Sequence, residues 1–255
     1  MKFTPIEQHG DIWMKRDDHF RVAGVSGGKA RTCWHLATQT RAMGLITAGS
    51  RASPQVNIVA HIAKKLGIPC RVHIPSGKMS PEVVAARNAG AEIIQHRVGY
   101  NTVIKSRAES DAAQHPGWVH IPFGMECAAA VRQTQMQVYN LLVEGGPGIK
   151  RLVVPVGSGM SLVGILHGMR RMGYNHPVLG VVVGADPRKR LRTYAPWGWE
   201  HWVTLENAGT DYHKPAETCD YDGVHLDPHY EAKCIPFLKP GDCLWVVGIR
   251  QTEER

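Results

Sequence analysis

Short β-branched runs alternating with segments of helical period constrain this chain more than any other feature, because that order favours parallel strands joined by crossover helices. "LITAG" (45–49) precedes a segment in which Val56, Val59, Ala60, Ala63 and Leu66 keep the spacing of one buried helix face. "CRVHIP" (70–75) predicts the next strand. "SPEVVAARNAG" then places a Ser80 cap, Pro81 in the first turn and Gly90 as a stop before the strand "EIIQH" (92–96). After "WVHIP" (118–122) comes a helix with Cys127, Val131, Val138 and Leu141 on one side, then "RLVVPV" (151–156), a glycine-rich turn and a helix. "VLGVVVG" (178–184) and "CLWVVG" (243–248) complete the strands, with no internal repeat or linker between them. The fold class is α/β.

Ahead of this region, "VAGVSGGKARTC" (22–33) sets Lys29 behind a Gly-Gly pair and before a helical segment. A phosphate loop of the G-x-x-x-x-G-K-[ST] type needs glycine and a hydroxyl where Ala23 and Ala30 stand. "GVSGG" matches the spacing of a nucleophile elbow, whose serine must follow a core strand, and "KRDDHFRVA" is too charged for that strand. "SGGK" also lacks the acid and serine that follow it in pyrophosphatase-type adenylating loops, since Ala30 and Arg31 stand there. Schiff-base formation with an aldehyde cofactor is the chemistry left for Lys29, beside a plain solvated lysine.

In open α/β sheets ligands bind beyond the carboxyl ends of the strands. "VPVGSGMSLVG" (154–164) leads from a strand through Gly157, Ser158 and Gly159 to Ser161 at a helix start. Glycines let backbone approach an anion, and a helix N-terminus favours phosphate there. An amine at Lys29 and this cradle are the two fixed points that pyridoxal phosphate needs.

The bulk numbers exclude several classes. With 255 residues, 43% hydrophobic and 20% charged, the chain can bury a core as one large or two small domains. The apolar run "VLGVVVGA" is far short of the roughly 20 residues that span a bilayer, and the N-terminal "MKFTPIEQHGD" has no apolar signal core, so a cytoplasmic location without membrane association is expected. Six cysteines with no C-x-x-C pair indicate neither a disulfide framework nor a metal site. The net charge of +8 favours acidic partners, and its densest cluster, "DPRKRLR" (186–192), reads either as a solvated turn or as a phosphate- or nucleic-acid-binding patch of Arg188, Lys189, Arg190 and Arg192.

Four segments, in order, resemble the fold-type II pyridoxal phosphate enzymes, specifically the aminocyclopropane-carboxylate deaminase and D-cysteine desulfhydrase group. "MKRDDHFRVAGVSGGKART" is similar to that group's lysine segment, "LITAGSRASPQVNIVAHIAKKLGIPCRVHIP" to its strand, serine loop and helix, "VPVGSGMSLVG" to its phosphate loop, and "YDGVHLDPHYEAK" to its "EG..LDPVYTGKA" segment. The resemblance covers nearly the whole chain. It implies a two-domain open parallel-sheet fold, with residues 1–42 and 124–255 forming the larger, cofactor-binding domain and 43–123 a smaller inserted α/β domain. It also implies a cleft site, a homodimer and pyridoxal 5'-phosphate as cofactor.

Carried over by position, the resemblance gives Lys29 the Schiff base and later a general acid or base role, and sets Ser53 near the substrate carboxylate. Tyr212 and Tyr221 become candidates for stacking or proton transfer. Gly157, Ser158, Gly159, Met160 and Ser161 hold the phosphate, and Asp222 stands for a glutamate that pairs with the pyridine nitrogen. Three departures accompany these matches: Pro54 replaces a cofactor-contacting asparagine, so that bond is lost or comes from elsewhere, with Gln55 and Asn57 as candidates; Met160 replaces a glycine; and "VVGIR" replaces a Thr-Gly-Gly segment, leaving Gly248 without a hydroxyl.

The implied activity is pyridoxal phosphate chemistry at the α-carbon of an amino-acid group, by deamination, β-elimination or decarboxylation, as in lyases and deaminases. The chain is shorter than its apparent relatives, which should open the cleft. Together with the positive charge, this raises an alternative substrate: an amino-acid-modified base in DNA, as in viral hypermodification. A non-catalytic pyridoxal phosphate-binding protein is a further alternative.

Overall fold

The computed structural model describes residues 3–97, 100–143 and 148–248. Ile249 and Arg250 of "VVGIR" lie outside the described residues. The chain opens with strands β1 (Ile6–His9), β2 (Ile12–Arg16), β3 (Arg21–Val22) and β4 (Val25–Ser26), followed by helix α1 (Gly28–Gln39). Next come β5 (Gly44–Ala48), α2 (Pro54–Leu66), β6 (Cys70–Pro75), α3 (Pro81–Asn88), β7 (Glu92–His96), α4 (Asn101–Ala113) and β8 (Trp118–Ile121). The chain continues through α5 (Ala128–Gln137), α6 (Tyr139–Val143), β9 (Arg151–Val156), α7 (Met160–Met172), β10 (Val178–Val182) and α8 (Arg188–Tyr194). It ends with β11 (Val203–Asn207), β12 (Asp220–Tyr221), β13 (Val224–His225) and β14 (Asp242–Val246).

Two compact units result. One combines the residues up to Phe20 with those from Ala128 onward. Its six-stranded sheet has the order β1-β2-β14-β9-β10-β11, in which β1 and β2 pair antiparallel and every other pair is parallel. Val163, Leu166 and Met169 of α7 pack with Val138, Leu141 and Leu152 on one side. On the other, Met14, Val153, Val181 and Leu244 pack with Leu226 and Cys234. Parallel strands buried on both faces read as continuous apolar runs, as "RLVVPV" does.

The other unit is Arg21–Cys127, with four parallel strands in the order β7-β6-β5-β8. Ser53 caps α2 and Ser80 caps α3, each accepting a backbone N–H while proline occupies the first turn. Ile104 and Ala108 of α4 pack on Ile46 and Ala48.

Three sequence expectations need correction. The first boundary falls after Phe20, not at 42/43: α1, which buries Ala30, Thr32, Cys33 and Ala37, packs on α2 and β8 and so belongs with the second unit. The helix expected across Cys127–Leu141 divides at Val138, where Val138 N–H bonds Gln135 O and Leu141 N–H bonds Val138 O in a tighter turn. The charged stretch after Met14 is partly strand, because Lys15, fully buried in β2, donates from Nζ to Thr4 O, to Asn140 Oδ1 at 2.8 Å and to Gln137 Oε1 at 3.3 Å. Oxygen acceptors make that buried ammonium tolerable.

Candidate active site

One glycine-led turn in each unit carries candidate chemistry. In the second unit Gly27 takes φ +94° and caps α1, which sets Lys29, half-buried, in the first turn of that helix. Ser53 Oγ accepts from Gln55 N at 3.3 Å and so starts α2. Gln55 is buried, and both amide protons are committed: Nε2 donates to Thr47 Oγ1 at 3.0 Å and to Pro122 O at 2.8 Å. It therefore has no donor left to replace the asparagine lost at Pro54. Asn57 is buried two residues further along α2.

In the first unit β9 ends at Val156 and the chain turns through Gly157, Ser158 and Gly159 into α7. Gly159 is the helix cap, at φ +86°, with no side-chain hydrogen bond to the helix start. The first amides of a helix lack intrahelical acceptors, and its dipole favours an anion. At Gly157 a Cβ would come 2.8 Å from Cε1 of Tyr230, so a side chain would collide with the ring. Arg190 of α8 donates from Nη1 to Ser158 O, which brings a guanidinium to the loop. Ser158 Oγ accepts from Met160 N at 3.5 Å, Met160 is buried, and Ser161 lies in the first turn of α7. A glycine cradle, a helix start and an arginine fit a phosphate group.

Two tyrosines stand at this loop. Tyr230 Oη and Tyr212 Oη are 3.0 Å apart, with the rings edge-on at 5.9 Å. The Tyr212 segment is held by Lys233 Nζ, which donates to Asp211 O at 2.7 Å. Glu231 follows, fully buried, and its Oε1 accepts from Val247 N at 2.8 Å and Gly248 N at 3.3 Å at the end of β14. Burial, with Asp227 nearby, holds its carboxyl well above the usual carboxylate range.

Tyr221 and Asp222 lie elsewhere. Tyr221 Oη donates to Asp11 Oδ1 at 2.9 Å, and burial, with Asp11, pushes its phenol up to about 12. Asp222 sits in the β12–β13 turn at φ +44°, its carboxylate 56% exposed and 3.9 Å from His9 Nδ1. Asp11 is tied to Gly241, just before β14, and Asp242 pairs with Arg151 at the start of β9. Both residues are thus at the amino end of the sheet, roughly 20 Å along β9 from Gly157. The sequence expectation that Asp222 reaches a ring bound at the phosphate loop is overturned by that separation.

The basic cluster is also divided. Arg190 turns to the loop, Arg188 pairs with Asp186 at 3.2 Å, and Lys189 and Arg192 are exposed. Tyr230 and Glu231 were not singled out from sequence, although "LDPHYEAK" contains both; a glutamate beside the apolar "CIPF" was the available signal. All six cysteines are free, and burial pushes the Cys70 thiol up to about 12, which leaves it inert as a nucleophile. Among the described residues no group of His, Cys, Asp and Glu could hold a metal ion, and no helix is long and apolar enough to cross a membrane.

Comparison with known proteins accords with this geometry. Over 97% of this chain and 90% of the other, the fold superposes on the crystal structure of an ACC deaminase homologue with a TM-score of 0.80 at 19% identity. It also matches diaminopropionate ammonia lyase from Escherichia coli, with a TM-score of 0.67 at 15% identity over 99% of this chain and 84% of that one. Maize serine racemase gives 0.65 at 16% over 97% and 88%. The architecture is that of the fold-type II pyridoxal phosphate enzymes. The profile of the family described as "Pyridoxal-phosphate dependent enzyme" matches residues 2–208, and the chain belongs to that family, with pyridoxal 5'-phosphate as its cofactor. In sequence it is 27% identical to L-threonine ammonia-lyase of Geobacter sulfurreducens over 147 residues, which span 57% of this chain and only 35% of that relative.

Proposed function

We propose that this enzyme acts at the α-carbon of an amino-acid group by deamination or β-elimination, with Lys29 as the lysine that bonds the cofactor. The observation that carries the reading is the loop Gly157–Ser161 with Arg190 and the Tyr212–Tyr230 pair gathered on it. The relatives named as ammonia-lyases support the reaction class. Bound pyridoxal phosphate supplies an aldehyde that condenses with amines and a ring that accepts the electron pair released at the α-carbon.

The chain's own residues then have distinct tasks. The amides of Gly159–Ser161 and the Arg190 guanidinium bind the phosphate. The Lys29 amine would bond the cofactor's aldehyde and, when free, serve as the general base for the α-proton. Ser53, at the start of α2, orients the substrate carboxylate. One of the two hydrogen-bonded tyrosine hydroxyls would give its proton to the leaving group and regain one from the protonated Lys29 amine or from water.

Borohydride reduction of the holoprotein followed by peptide mapping tests the assignment: the phosphopyridoxyl label is expected on Lys29, and a label on another lysine, or none, would overturn it. A second reading has the amino-acid group carried on DNA, and it is favoured by Arg192, which lines one surface hollow with Trp197, 88% exposed, and by exposed Lys189 on the same helix. Basic and aromatic side chains together suit nucleic acid. Mass spectrometry of free amino acids and of amino-acid-modified DNA after incubation separates the two readings, and it also reports whether carbon dioxide or ammonia is lost.

A further inference from the structure

β5 and β6 are neighbours in the second unit's sheet and run parallel into short loops at its carboxyl edge, where such sheets take ligands. In the first loop Ser53 N–H bonds Ser50 O at 3.0 Å, which turns the chain through Arg51 and Ala52 before Ser53 caps α2. In the second, Ser80 Oγ accepts from Val83 N at 3.3 Å to cap α3 and donates to Arg51 O, tying the two loops together. The Arg51 guanidinium is seated on this second loop, where its Nη1 donates to Lys78 O at 3.0 Å. Gly77 makes room for it: a Cβ there would collide with Nη1 and come 2.8 Å from Cζ, and its φ of +141° itself favours glycine.

That seat fixes the guanidinium without neutralising it. Its partner is a carbonyl, and among the described residues no carboxylate pairs with half-buried Arg51 or with exposed Lys78 beside it. Arg71, on β6 of the same unit, shows the alternative, since Asp111 at 2.8 Å and Glu92 at 3.0 Å both pair with it. A cation held in place with its charge open, two residues from Ser53, suits an anion that arrives with the ligand. A planar fork with an ammonium beside it fits phosphate, which offers more oxygens and more charge than a lone carboxylate. We infer that Arg51, with Lys78, is a specificity-determining residue that binds a phosphate group carried by the substrate beyond its α-carboxylate. That phosphate is either a monoester on a free amino acid or the diester of a nucleotide to which the amino acid is attached. The inference rests on the proposed place of Ser53 at the substrate carboxylate.

The test reads binding to the holoenzyme from the change in cofactor absorbance on mixing, with two pairs of probes. One pair is L-serine and O-phospho-L-serine; the other is an amino-acid-modified nucleoside and a short oligonucleotide carrying the same modified base. In wild type the phosphate-bearing member of at least one pair should bind about tenfold to a hundredfold more tightly than its counterpart, the range of a charge-assisted hydrogen bond. Preference in the first pair identifies a free phosphorylated amino acid, and preference in the second a nucleotide. R51Q should reduce the ratio to within about threefold, and R51K, which keeps the charge but not the fork, should give an intermediate ratio. K78Q leaves the seat of Arg51 intact, should lower the ratio by about threefold, and serves if R51Q does not fold. A wild-type ratio near one in both pairs, or a preference that survives R51Q, or K78Q in its place, overturns the inference and leaves the proposed reaction standing. Loss of cofactor from folded R51Q also overturns it, because the guanidinium would then serve the cofactor's own phosphate. If none of the four probes changes the absorbance of wild type, the proposed reaction and the inference both fall.

Discussion

At the carboxyl end of the six-stranded sheet Tyr230 lies against Gly157 and Glu231 accepts from the amides that follow β14, while at its amino end Tyr221 and Asp222 form a second phenol–carboxylate pair on the same stretch of chain. The pairs lie nine residues apart in sequence and on opposite ends of the strands. At the carboxyl end Tyr230, part-buried, faces a glycine turn and Glu231, fully buried, faces strand-end amides; at the amino end Tyr221, also part-buried, faces Asp11, and exposed Asp222 faces His9. The difference teaches that residue type does not make a site. What makes one here is the end of a parallel sheet at which helix starts and glycine turns converge.

The largest effect is expected for Gly157→Val. Its Cβ would lie 2.8 Å from the Tyr230 ring, so the loop or the ring must move. Overpacking of this kind costs about 1–3 kcal/mol, and it falls on the phosphate cradle. Cofactor titration by absorbance should show a loss of affinity approaching a hundredfold, with thermal unfolding still cooperative. An unimpaired affinity would remove the loop from the site.

Next in size is Arg190→Gln, which deletes the guanidinium on Ser158 O. A charge-assisted bond contributes about 1.5–3 kcal/mol when shielded, and this arginine is half-buried, so roughly a tenfold loss of cofactor affinity is expected. Arg192→Gln, two residues further along α8 and exposed, should leave that affinity unchanged. Equal losses for the two would mean that the cluster acts only through its overall field.

These contrasts show how much of the molecule was legible in sequence. β6 and β9 match their sequence bounds because a mostly buried parallel strand has a short apolar run with sharp ends, and β7, an edge strand with Glu92 and Gln95 exposed, matches because the Gly90 stop signal fixes where it starts. The glycine turn before α7 is legible because only glycine suits the φ of +86° at Gly159 and the close approach of Tyr230 to Gly157. The basic cluster at 186–192 was visible as charge, but nothing in its spacing separates Arg190, turned to the loop, from Arg188, paired with Asp186. Tyr221 and Asp222 were misplaced because two-residue strands leave no periodicity from which to tell an end of the sheet. The first unit boundary was missed because α1 is defined by what it packs against, which its own pattern does not state.

A third, smaller effect concerns stability of the protein free of cofactor. Glu231 has its carboxyl raised by burial and by Asp227, so the folded state keeps a proton that the unfolded chain releases above about pH 4.5. Folding stability contributed by this site therefore falls as pH rises above that value and is unaffected below it. Glu231→Gln does not titrate and keeps an acceptor for the Val247 and Gly248 amides. Its Tm should exceed that of wild type by a few degrees at pH 8, with the gap closing towards pH 4. A lower Tm at pH 8 would show that the carboxyl stabilises the empty fold.

The smallest effect is expected for Asp222→Asn. The side chain is 56% exposed, its ionic neighbour is His9 at 3.9 Å, and exposed pairs of that kind contribute about 0–1 kcal/mol. Its φ of +44° suits asparagine at least as well as aspartate, so the β12–β13 turn should be kept. Because the residue stands at the amino end of the sheet, cofactor affinity, absorbance and turnover should all match wild type. A fall in turnover with affinity preserved is the signature of a lost partner for the ring nitrogen. Seen at Asp222, it would mean that the amino end of the sheet, not the carboxyl end, meets the ring.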